Sequence, residues 1–189
     1  MPNENIDRGI KKGTGELEGV NYEEITYEAY GPAGVAIIIE SLTDNGDRTV
    51  ADIRKWLSRN GGNLGASNSV AWMFDRKGLL TIEAAGKDED RAMEDALESG
   101  ADDFAREGDL FIVSTTVPTF HLVQDALKSR GYRIEGVELA QVPRNTVKVE
   151  GEDASRILKL VDLLEELDDV SKVFSNFDID ASHLAEAET

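Results

Sequence analysis

The chain has 189 residues, with 20 Lys+Arg against 38 Asp+Glu and a formal net charge of −18. Its 40% hydrophobic content supplies a core and excludes a wholly disordered chain, and the length suits one domain or two small ones. No run approaches the ~18 apolar residues of a membrane span, and the absence of cysteine excludes a disulfide framework and a thiolate zinc site.

The start, Met-Pro-Asn-Glu-Asn, has neither the basic opening nor the apolar stretch of an export signal, so a cytoplasmic protein with no membrane partner is expected. Residues 3–12 read as a short helix with acids early and lysines late, as the helix dipole favours. Its apolar stripe is only Ile6 and Ile10, too little to hold a lone helix, so it reads as the end of something longer. A strand is expected over 22–30, a turn at Gly31-Pro32-Ala33-Gly34, and a strongly apolar strand over Val35–Leu42. Thr49 then reads as the cap of a helix over 49–60, with Asp52 in capping-box position and Val50, Ile53 and Leu57 on the buried face. The stretch Asn60–Ser69 reads as a flexible Gly/Asn/Ser-rich loop.

The next block gives a strand over 70–84, a helix over 88–99 with Met93 and Leu97 as its stripe, and strands over 101–106 and 109–115. A helix over 119–130 follows, with Phe120, Val123 and Leu127 buried, then a strand over 132–141. This order is the βαββαβ, ferredoxin-like pattern. The chain closes with a strand over 145–150, a helix over 152–167 with Ile157, Leu160, Val161 and Leu164 inward, and a strand over 170–179. The expected fold class is therefore α/β (α+β), as two small ferredoxin-like α/β sandwich domains, one inserted into the other. Residues 21–68 with 144–180 would form the discontinuous domain and 69–143 the insertion, leaving 181–189 as an acidic tail.

A body of this charge repels phosphate backbones at long range, so any nucleic-acid partner must be met by a local basic patch. The acidity itself is equally read as a solubility device or as salt adaptation. The helix over 49–60 is the best electropositive site. Arg48, Lys55 and Arg59 fall on one face with Arg54 beside it, and Asn60, Gly61, Gly62 and Asn63 follow in a loop whose main chain is uncovered. The competing reading is an ordinary solvated helix face. Tyr27, Tyr30 and Pro32 form an aromatic turn on which bases could stack, or whose tyrosines pack across strands. Trp56 and Trp72 read as packing residues, in a core or between domains, and Arg76-Lys77-Gly78 as a bend.

Catalytic patterns are weak. The Gly-rich loop matches neither a P-loop nor a dinucleotide fingerprint, and Asp44-Asn-Gly-Asp47 fails calcium-loop spacing because Lys55 stands where the closing Glu belongs. His121 has no evident Ser or Cys nucleophile partner, and Glu165, Glu166, Asp168 and Asp169 form a solvated acidic cluster. The residues call for no cofactor, no metal and no small-molecule substrate. A metabolite-binding or catalytic protein using the cleft between domains stays as an alternative.

Four stretches together resemble the YebC/PmpR family: Met1-Pro-Asn-Glu-Asn-Ile-Asp-Arg-Gly-Ile-Lys-Lys-Gly-Thr-Gly15, Tyr27-Glu-Ala-Tyr-Gly-Pro-Ala-Gly-Val-Ala36, Asn60-Gly-Gly-Asn-Leu-Gly65 and Ser69-Val-Ala-Trp-Met-Phe-Asp-Arg-Lys-Gly78. That family includes the mitochondrial translational activator of cytochrome oxidase. Its pattern has glycine where this chain has Ala29 and Ala33, and its members usually begin with a further basic, helical stretch; the resemblance implies that 1–20 are the remnant of that helical domain and, for the alternative of a DNA-binding regulator, that the DNA-reading part is missing here. The resemblance implies a non-enzymatic regulator of gene expression. Its members are described as DNA-binding transcriptional regulators, and also as ribosome-associated factors aiding translation of proline-rich stretches. A ribosomal RNA partner is favoured over duplex DNA here, because an anionic body lies poorly along a duplex.

Overall fold

The computed structural model describes residues 21–179, and these form two compact units. The first comprises the described chain up to Met73 and from Pro143 onward; the second is Phe74–Val142. The fold is mixed α+β with two antiparallel sheets, each carrying helices packed against it.

In the first unit, strands β1 (Glu23–Tyr30) and β2 (Ala36–Thr43) form a hairpin in register from Glu23↔Thr43 to Tyr30↔Ala36. Helix α1 (Gly46–Arg59) follows, then the short strand β3 (Asn63–Leu64). After the second unit the chain adds β8 (Val147–Lys148), α4 (Gly151–Glu165), β9 (Val170–Ser175) and β10 (Phe177–Asp178). Strand order in the main sheet is β3-β1-β2-β9, and β8 pairs with β10 in parallel. The strand expected over 145–150 is thus only a short rung. The one expected over 170–179 breaks at Asn176, whose buried side chain accepts from the Ala36 N–H at 2.7 Å.

The apolar run from Val35 makes this unit's core. Ile37 and Ile39 alternate onto the face shared by Ile53 and Leu57 of α1 and by Ala154, Ile157, Leu160 and Leu164 of α4. Each of these Ile and Leu side chains, fully withdrawn from water, contributes about 1.5–3 kcal/mol. Val161 is only half-buried. Gly31 lets α4 approach the hairpin turn, since an added Cβ would stand 2.7 Å from Ile157 Cδ1.

The second unit runs β4 (Phe74–Glu83), α2 (Glu89–Glu98), β5 (Asp103–Glu107), β6 (Leu110–Thr116), α3 (Phe120–Ser129) and β7 (Ile134–Pro143). Strand order β5-β6-β4-β7 is the ferredoxin-like arrangement. Leu80, Ile82, Phe111 and Val113 meet Val123 and Leu127 of α3. Helix α2 departs from expectation: Ala92 and Ala96 face the sheet, while Met93 and Leu97 are 41% and 48% exposed. Small side chains let this helix sit close, which turns the larger neighbours outward. Gly78 lies inside regular β4 rather than at a bend, and an added Cβ there would overlap the Phe120 ring. Entry and exit of the second unit are tied, because the Arg144 N–H donates to the Met73 carbonyl at 2.8 Å.

The remnant helix expected over 1–20 and the acidic tail over 181–189 lie outside the described residues.

Candidate nucleic-acid interface

Helix α1 begins earlier than the Thr49 capping pattern implies. Asn45 is the cap, its side chain accepting from the Arg48 N–H at 3.1 Å. Thr49 is buried one turn in, donating to Asp169 Oδ2 at 2.9 Å and lying 2.8 Å from Thr43 Oγ1. The Thr-x-x-Asp spacing is a false cap signal, because the cap preference is satisfied four residues upstream by an Asn in extended backbone.

This placement sets Arg48 among carboxylates. Its guanidinium pairs with Asp44 at 2.6 Å and with Asp169 at 2.8 Å, holding its pKa above the usual arginine value through side-chain bonds to Asp169 first and Asp44 second. Arg48 is committed to an acidic groove of about 490 Å³ lined also by Asp52, Glu166 and Asp168.

The other three cations gather at the opposite end of α1. Arg54, Lys55 and Arg59 are exposed and make no ion pair among the described residues. Lys55 Nζ lies 5.0 Å and Arg59 Cζ 5.6 Å from the centroid of half-buried Trp56. Indole faces attract cations, and the negative end of the helix dipole favours Arg59 in the last turn. Trp56 packs against the core on one side and belongs to the basic patch on the other. Its place, one residue after Lys55 and three before Arg59, was the signal for this role. Trp72, expected in packing, is 63% exposed, with its indole N–H donating to the Ser69 carbonyl at 3.0 Å.

The glycine-rich segment is a fastened edge rather than a pliant loop. Asn60 closes the helix, its side chain donating to the Trp56 carbonyl at 2.8 Å. Gly61 turns the chain at φ +78°, and Gly62 passes so close to β1 that an added Cβ would lie 2.5 Å from the Tyr30 carbonyl oxygen. Asn63 and Leu64 pair with Tyr30 and Ala29. Beyond them the Glu28 carboxylate accepts the backbone N–H groups of Asn68, Val70 and Ala71 at 2.5, 2.8 and 2.8 Å. Burial pushes the Glu28 carboxyl up, but the backbone donors led by Val70 outweigh it and hold the pKa below the usual value. The glycines therefore serve close packing on β1, and Asn63 alone of the quartet keeps an exposed side chain.

The tyrosines are anchored as well. Tyr30 donates to the Ser69 carbonyl at 3.1 Å and Tyr27 to the Gly46 carbonyl at 3.3 Å. They lie on opposite faces of β1, so they do not form one stacking platform, and Pro32 is buried. Ala33, where the family pattern has glycine, sits at φ +57°, and Ala29 is fully buried in the sheet. The structure thus brings Lys55 and Arg59 together over Trp56, with Arg54 beside Lys55 in the chain, pairs Asn63 with Tyr30, sets Pro32 close to Gly61, and holds Arg48 among carboxylates.

Among the described residues no group of three His, Asp or Glu side chains is placed to hold a metal ion, and no helix is long and apolar enough to cross a membrane. In the second unit Tyr132 donates to Asp95 at 2.6 Å, and Arg130 pairs with the same carboxylate. His121 is exposed beside Phe120.

Comparison with known proteins agrees with this fold. A protein of Gemmatimonas aurantiaca is 58% identical over 99% of this chain and 76% of its own length, and one of Pelotomaculum thermopropionicum is 52% identical over 95% and 75%. Both are named probable transcriptional regulatory proteins. The crystal structure of the conserved hypothetical protein Aq1575 from Aquifex aeolicus superposes with a TM-score of 0.82 at 41% identity, covering 95% of this chain and 74% of that one. The model of the TACO1/YebC second and third domain matches residues 22–177, and with these relatives it establishes that the chain belongs to the TACO1/YebC family.

Proposed function

We propose that this chain is a non-enzymatic regulator of gene expression in the cytoplasm that docks onto RNA, with the ribosome as the favoured setting. Arg54, Lys55 and Arg59 bind phosphates, and Asn63 supplies a neighbouring amide. One observation carries the reading: in a chain with 38 acids to 20 bases, Arg54, Lys55 and Arg59 keep no carboxylate partner among the described residues, and Lys55 and Arg59 lie over the Trp56 ring. Cations left unpaired in such surroundings attract polyanions locally while the body repels them elsewhere. Paired Arg48 adds orientation to the helix and no phosphate contact.

The names of the relatives favour a second reading, a transcriptional regulator that binds duplex DNA. The triple variant R54E/K55E/R59E separates the possibilities. Co-sedimentation with ribosomes and anisotropy with single-stranded RNA and duplex DNA are measured across a salt series. On the RNA reading, the variant loses binding by more than about tenfold, and the log–log salt slope on single strands falls by about 2, from three phosphate contacts at ~0.7 each. Unchanged ribosome and RNA binding by the variant sinks the proposal. Loss confined to duplex DNA transfers the function to the second reading.

A further inference from the structure

We propose that the edge of β1 left uncovered among the described residues receives an extended, lysine- or arginine-rich polypeptide segment by strand addition. β1 pairs with β2 along all of its length, Glu23 to Tyr30, but with β3 only at Ala29 and Tyr30. The Glu28 carbonyl still reaches Gly65 N–H on that side at 2.8 Å. Alternate residues of a strand direct both backbone groups to the same edge. Thr26 and Glu24 therefore aim their N–H and C=O where Glu28 does, and no strand among the described residues meets them. The Ile25 carbonyl points the other way, accepting from Ser41 Oγ at 2.8 Å. Glu23, Glu24 and Thr26 are exposed.

Charge selects the occupant. Glu24 stands on one face of this edge. On the other, Glu23 lies beside Gly46 at the start of α1, next to Asp47. The Tyr27 hydroxyl lies in the same field: its pKa is raised by burial first and then by Glu23, Asp169 and Asp47. A strand laid on Glu24–Thr26 sets its alternate side chains beside these carboxylates on both faces. Glutamates at an open edge oppose pairing with a second copy, which would bring like charges together, and favour a cationic strand. Main-chain bonds then supply affinity and the flanking acids supply selection.

The test uses the full chain and a fluorescent peptide of alternating lysine and valine, with the same peptide N-methylated at every backbone amide as its partner of equal charge. The expected result is saturable binding of the first, at least about tenfold weaker binding of the second, and a similar loss for E23K/E24K. Amide exchange at Glu24 and Thr26 slows on binding in the wild-type chain, a reading that stands even if the variant fails to fold. Equal binding of the N-methylated peptide overturns the proposal, as does no binding of either. Glu24 and Thr26 amides already protected in the free chain, or self-association through this edge, overturn it too.

Discussion

The Glu28 carboxylate holds backbone rather than a cation. Three N–H groups converge on it, so the charged form is bound more tightly in the folded chain than in the unfolded one. Its lowered pKa sets the sign: this stabilisation is fully present above the unfolded glutamate value of ~4.3 and is lost as pH falls through the lower folded value. Glu28→Gln keeps the shape and removes the charge. It is expected to cost about 1–2 kcal/mol at neutral pH in urea unfolding, and the difference from wild type should shrink in acid. Ala33 points the other way. An alanine at φ +57° carries left-handed strain that glycine does not, so Ala33→Gly is expected to raise stability by about 1 kcal/mol. Chemical denaturation of the two chains checks this directly.

At the scale of elements, α1 shows what could be read in advance and what could not. Ile53 and Leu57 at helical spacing identified its buried face, and Phe120, Val123 and Leu127 did the same for α3. Its start was misread because Thr-x-x-Asp looks like a capping box, whereas Asn45 performs the capping and Thr49 is drawn inside by Asp169, 120 residues later in the chain. No local pattern announces a partner so distant. The pairing of Arg48 is hidden from the sequence for the same reason, since Asp169 reaches it from another element. Helix α2 was legible as a helix, but its stripe was not: alanine at Ala92 and Ala96 carries little hydropathy signal beside Met93 and Leu97. The basic patch was legible through Arg54, Lys55 and Arg59. The fastening of the Gly/Asn segment was not, because it depends on pairing with β1 and on Glu28. Asn45→Ala is expected to destabilise the chain by about 1 kcal/mol in a denaturant titration. Thr49→Val is expected to leave the cap intact while loosening the link from α1 to Asp169, lowering the thermal midpoint without loss of helix by circular dichroism.

At the scale of the molecule, −18 charges on one chain repel one another in the folded state more than in the expanded one. Moderate salt, which screens charges beyond about 10 Å at 0.1 M, is expected to raise the thermal midpoint. The triple reversal R54E/K55E/R59E moves the net charge further from zero, so its midpoint should respond more steeply to salt. The Arg144 N–H meets the Met73 carbonyl where the chain leaves and re-enters the first unit. Phe74–Val142 is thus an insertion in its host, a closed loop whose ends are held together while it is folded. Were that loop to melt, the host could fold only by tethering the two ends of a floppy chain, at an entropic cost of about 4 kcal/mol. Stability thereby passes from insert to host through the connectivity of the chain alone, and a lesion buried at Phe111 would be felt in the hairpin of β1 and β2.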